Sequence, residues 1–101
     1  MNDTTYNGWT NYETWNFNLW FDSAFADDAE RIYEDAESDA WFTKSERATL
    51  DLADHIESFC DEYLPANDHA SFFTDVLSAA INRVNWHEIA EHYIDDIDST
   101  E

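Results

Sequence analysis

The string His87-Glu88-Ile89-Ala90-Glu91-His92 holds the residue types of a zinc hydrolase, two imidazoles to ligate a metal and a glutamate to act as base. Its spacing is one residue too long. Histidines four apart share a helix face, but positions five apart, at about 100° each, point roughly 140° away from one another. The shifted form HxxEH would need a histidine at position 88, where Glu88 stands. His55 and His69 lie in other segments. The string is therefore expected to be a capped amphipathic helix with surface histidines, with no metal site and no cofactor.

Other chemistries fare no better. Ser45, Ser58, Ser71 and Ser78 lack the setting of a nucleophile elbow, and Gly8, the single glycine, leaves no loop to cradle a phosphate and no centre for an EF-hand. Cys60 is alone, which excludes an internal disulfide and fits a buried structural thiol. Paired carboxylates such as Asp27 and Asp28 are too abundant for any one pair to signal acid–base catalysis. The expectation is that the protein is not an enzyme.

The dominant chemical feature is charge, with 24 Asp and Glu against four Lys and Arg, a formal net charge of −20 over 101 residues. Such a surface is repelled by nucleic acid and anionic membranes and attracted to basic proteins. The N-terminus MNDTTYNG lacks the basic and apolar regions of a signal peptide, and no apolar run reaches membrane-spanning length, so a cytoplasmic location is expected. A composition that is 44% hydrophobic and 17% aromatic nevertheless argues for a folded chain, of a length that suits one domain over 1–101.

With one glycine and one proline, the elements that position these acids are expected to be helices, giving an all-α, compact bundle of about five short helices with an aromatic-rich core. Thr10–Glu13, Thr43–Glu46 and Asn85–Glu88 each read as a capping residue followed three positions later by Glu. The first helix is predicted from about Asn11 to Phe21. It carries most of the block NGWTNYETWNFNLWF (7–21), which holds three Trp, one Tyr and two Phe. Apolar on two sides, it is expected to be the most enclosed helix. Helical spacing then predicts Ala24–Ala40, Lys44–Leu64 ended by Pro65, His69–Val84 capped by Asn67 or Asp68, and Trp86–Ile97, with frayed ends over 1–7 and 99–101.

The strings NGWTNYETWNFNLWF and VNWHEIAEHYIDD (84–96) together resemble a family of small, acidic, largely uncharacterised proteins encoded by phages, plasmids and their bacterial hosts. The resemblance covers both ends of the chain, about a third of it, and not the acidic middle. It brings no catalytic residues and implies a mobile-element setting, hence a counter-defence role.

Eight acids lie between Asp22 and Asp39, among them Asp27, Asp28, Glu30, Glu34, Asp35, Glu37 and Asp39. As one helix they would set a carboxylate every 3.4 Å or so of axis, which is also roughly the spacing of phosphates along one DNA strand. Asp51, Asp54, Glu57, Asp61 and Glu62 are expected opposite the apolar stripe of the third helix, and Asp95, Asp96 and Asp98 near the C-terminus. Carboxylate rows on a rigid body suit the basic groove of a host DNA-binding protein, where Lys and Arg are arranged for a duplex. The leading expectation is a DNA-mimic inhibitor of a restriction, CRISPR or repair enzyme, resembling antirestriction and anti-CRISPR proteins in composition and size. A homodimer could lengthen such a row, by analogy with other mimics. Two alternatives remain open: an acidic adaptor that binds through Trp9, Tyr12 or Trp15, and a halophile-adapted protein whose charge has no partner.

Overall fold

Small residues at helical spacing decide which helices form the centre. The structure, a computed structural model, describes residues 6–63 and 72–100. The expected helix stop at Pro65, the cap at Asn67 or Asp68 and the stretch before Tyr6 lie outside them, as do the side chains of Tyr63, Phe72 and Phe73. Five helices run in the order α1 (Tyr12–Trp20), α2 (Ala26–Asp35), α3 (Lys44–Tyr63), α4 (Phe72–Arg83) and α5 (Trp86–Thr100). Ala29 of α2, Ala48 of α3 and Ala90 of α5 are fully buried, which lets the three backbones approach closely around Leu52, Ile56, Ile89 and Ile94. Phe25 meets Phe59 and Tyr93, while Tyr33 meets Lys44 and Asp98. These contacts set α3 antiparallel to both α2 and α5.

Around this aliphatic centre lies an aromatic cluster. Phe17 stacks on Phe21 at 4.6 Å and meets Trp86 edge-on at 5.1 Å, and Phe59 meets Phe25 edge-on at 5.2 Å. Such offset and edge-on pairs add to the burial of the rings themselves. The N-terminal Tyr6-Asn7-Gly8-Trp9 is more ordered than fraying would give. Tyr6 and Trp9 exchange both backbone hydrogen bonds, and Asn7 and Gly8 have positive φ, the requirement of a type I′ turn that Asn-Gly meets. At the other end α5 continues past Ile97 to Thr100.

Two expectations about the helices are overturned. α1 is not the most enclosed helix: Thr14 is its only buried residue, and Trp20 is 77% exposed. Phe17 and the C-cap residue Phe21 pack on the cluster, but beyond its other face stands, among the described residues, only α4. The second helix stops at Asp35 instead of Ala40, with Ala36 extended at φ −72°, ψ 142°. The cause is local. Asp39 Oδ1 accepts the N–H groups of Trp41 and Phe42 at 2.7 and 2.8 Å, offering the backbone a turn in place of helix. Lys44 Nζ meanwhile donates to the carbonyl of Ala36 at 2.9 Å and caps the helix C-terminus.

The capping pattern is met at Thr43, where Thr43 Oγ1 accepts the N–H of Glu46 at 3.1 Å and Glu46 Oε1 accepts that of Thr43 at 2.9 Å. Asn85 caps α5 by accepting the N–H of Glu88 at 3.0 Å. In α1 the cap is Asn11, not Thr10: Asn11 Oδ1 accepts the N–H of Thr14 at 2.9 Å. Thr10 instead donates its N–H to Glu88 Oε1 at 3.0 Å. Asn11 Nδ2 donates to the carbonyl of Arg83 at 2.7 Å, and the fully buried Thr14 hydroxyl donates to Asn11 Oδ1 and accepts the N–H of Asn85 at 2.8 Å.

Replacing Thr14 with Val keeps the volume but strands the Asn85 N–H, so it should cost about 1–3 kcal/mol. The checking measurement is urea unfolding, with a lowered midpoint and unchanged slope. Thr14→Ser keeps both bonds and should cost less; an equal loss in the two variants would assign the effect to packing.

Candidate acidic interface

Four cations cannot neutralise 24 acids, so their placement decides where negative charge remains. Arg31 pairs with Asp28 at 3.2 Å within α2. Lys44 caps α2 and lies 4.7 Å over the ring of Tyr33. Arg47 reaches Asp39 at 3.4 Å and lies over Phe42, and Arg83 of α4 meets Glu13 of α1 at 3.3 Å. All four are thus engaged at helix junctions or within α2, and none stands on the outer face of α5 or beside the α3 acids beyond Arg47.

The acids themselves fall into three groups. On α2, Asp27, Glu30, Glu34 and Asp35 are exposed, whereas Asp28 is half-buried and also meets His55 Nε2 at 3.2 Å. Burial works to raise the pKa of Asp28, but the hydrogen bonds from Arg31 and His55 outweigh it and hold the carboxyl below its ordinary value. Glu37 and Asp39 lie in the non-helical 36–43 segment, so the uninterrupted helical track expected from Asp22 to Asp39 does not form. On α3, Asp51, Asp54, Glu57, Asp61 and Glu62 are exposed on the side away from Leu52, Ile56 and Cys60. On α5, Glu91, Asp95, Asp96 and Asp98 are exposed. Asp98 Oδ1 accepts the Tyr33 hydroxyl at 2.9 Å, and Asp96 borders a cleft of about 340 Å³ with Trp9, Asp22 and His92.

The residues of the near-zinc string hold the N-terminal turn in place: His92 stacks on Trp9 at 4.2 Å, and Glu88 receives the Thr10 N–H. Cys60 is buried, and desolvation, with Asp61 and Glu57 nearby, pushes its thiol up to about 11. That thiol is protonated at neutral pH and unreactive.

Of the expected aromatic anchors, Trp9 and Trp15 are half-buried, Trp15 against Tyr6 at 4.8 Å, and Tyr12 is 49% exposed. Among the described residues the most exposed aromatics are Trp20, at 77%, and Trp41, at 85%. Spacing sets Tyr12, Asn16 and Trp20 on one stripe of α1 but carries no signal of whether another helix covers it. Trp41 likewise had no signal, because its exposure depends on the turn that Asp39 builds.

Among the described residues the fold and surface define an all-α bundle of five helices with acidic outer faces, and no described helix is long and apolar enough to cross a membrane. Residues 2–101 match the family of unknown function DUF7249, and the chain belongs to that family. No curated protein and no solved structure matches it.

The pKa of Asp39 is lowered by the backbone N–H groups of Trp41 and Phe42, with Arg47 adding to them. A carboxyl depressed in the folded state stabilises above its unfolded pKa and loses that contribution as pH falls through the folded value. The Trp41 and Phe42 amide resonances should therefore titrate together, with a midpoint below the ordinary 3.8 of an aspartate. A midpoint at or above that value would mean the turn does not hold the carboxylate.

Proposed function

We propose that this domain is a cytoplasmic inhibitor that occupies the basic DNA-binding groove of a host defence or DNA-processing enzyme and competes with nucleic acid for it. The supporting observation is the distribution of charge. With every Lys and Arg engaged in a local contact, the row Asp51, Asp54, Glu57 and Asp61 on α3 faces solvent with no cation paired to it among the described residues. Those four carboxylates span about 15 Å of helix, one per roughly 5 Å, against one phosphate per roughly 3.4 Å of a DNA strand. One row is sparser than a strand, so a match draws on a second helix, and α5 supplies Glu91, Asp95 and Asp98. The resemblance of both chain ends to proteins of phages and plasmids supports a counter-defence setting.

Steering by such a surface makes the encounter fast and salt-dependent. The protein should capture one nuclease, restriction complex or repair enzyme from a DNA-depleted bacterial lysate at about 50 mM salt and release it at about 500 mM, where screening is strong. Added duplex DNA should also release it. Exposed charges contribute a few tenths of a kcal/mol each, so Asp51→Asn, Asp54→Asn, Glu57→Gln and Asp61→Asn together should weaken capture roughly tenfold. A captured partner indifferent to DNA, to salt and to this fourfold change would overturn the reading.

A further inference from the structure

α4 packs chiefly against α1, and it does so incompletely. Tyr12, Phe17 and Trp20 of α1 and Leu77, Ile81 and Val84 at the α4 side border a groove of about 260 Å³ whose surface is mostly apolar. Leu77 is 41% exposed, and the neighbouring Val76 is 50% exposed. Tyr12, Trp20, Val76 and Leu77 make up four of the seven large hydrophobic residues that the structure exposes among the described residues. Drug-sized ligand sites run to roughly 300–1,000 Å³, so this smaller groove suits a single large side chain better than a free metabolite.

Charge identifies the occupant. A second copy would bring another −20 against the first and be repelled. Glu13 on the groove wall is already paired with Arg83, so the local negative charge comes from the exposed Asp22 and Asp75, which follow Phe21 and precede Val76. We infer that the α1–α4 groove is a docking site for an apolar side chain projecting from a positively charged protein surface. The sign of that partner rests on the proposed function; the apolar anchor does not. Trp and Tyr rimmed by charge are the composition of an energetic centre of an interface, and here they would add a salt-resistant contact to the screened attraction of the acids.

The test uses two probes of equal positive charge, an amphipathic helical peptide with a leucine stripe and the same peptide with serine in place of each leucine. The leucine peptide should bind at least about tenfold tighter. Trp20→Ala and Leu77→Ser should each erase that difference while leaving serine-peptide binding unchanged. Trp20 is so exposed that its removal leaves the fold intact, which circular dichroism checks; the Leu77 variant tests the α4 side independently. Equal affinity of wild type for the two peptides overturns the groove and leaves the acidic reading standing. Failure of both peptides to bind overturns the cationic partner itself. Sedimentation that shows a wild-type dimer split by Trp20→Ala overturns the inference in favour of a second copy.

Discussion

The buried hydroxyl of Thr14 is the point on which the remaining architecture depends. It sits between Asn11, which starts α1, and the N–H of Asn85, which starts α5, and it is fully enclosed. A buried polar group is tolerated only when its hydrogen bonds are made, so this hydroxyl specifies one relative placement of the two helix starts. The same region adds Thr10 to Glu88, Asn11 to the Arg83 carbonyl, and Glu13 to the Arg83 side chain. The strings GWTNYETW and VNWHEIA, seventy or so residues apart, are thus two halves of one junction. Their polar residues join the two segments, and Glu88 and His92 of the near-zinc string belong to the same junction.

Charge imposes the second constraint. Twenty uncompensated negative charges on a body this small repel one another, and the fold answers by putting acids outside and cations at seams. Lys44 and Arg47 hold the passage from α2 to α3, Arg83 holds α1 to α4, and Arg31 lies within α2. Because each cation serves the fold, none is left to shield the outer rows of α3 and α5. Structural economy and the outward electric field therefore have one cause. The apolar groove between α1 and α4 has another: α4 lies at the edge of the bundle, where no further helix among the described residues covers it.

Much of this organisation is legible from residue type and spacing. Five helices, the reciprocal Thr43–Glu46 cap, the Asn85 cap, the buried Cys60 and the acidic outer face of α3 follow from periodicity and local hydrogen-bonding preference, which act within a few residues. The structure departs from the pattern where another hydrogen-bond partner, near or distant, competes with it. Thr10 satisfies the capping pattern but gives its N–H to Glu88, so the cap moves to Asn11. Ala36 and Ala40 continue the helical spacing of α2, but Asp39 and Lys44 offer its end better hydrogen bonds as a turn.

The sequence by itself determined the helical class, the negative surface and the need for an aromatic cluster, because these depend on period, composition and nearest neighbours. Tertiary structure alone decided which aromatics are enclosed. Phe17 and Phe21 face the cluster while Trp20, on the same short helix, faces water. A helix that is apolar on two sides does not record how many neighbours it will have; that depends on where the other helices pack, and here only one side is fully covered.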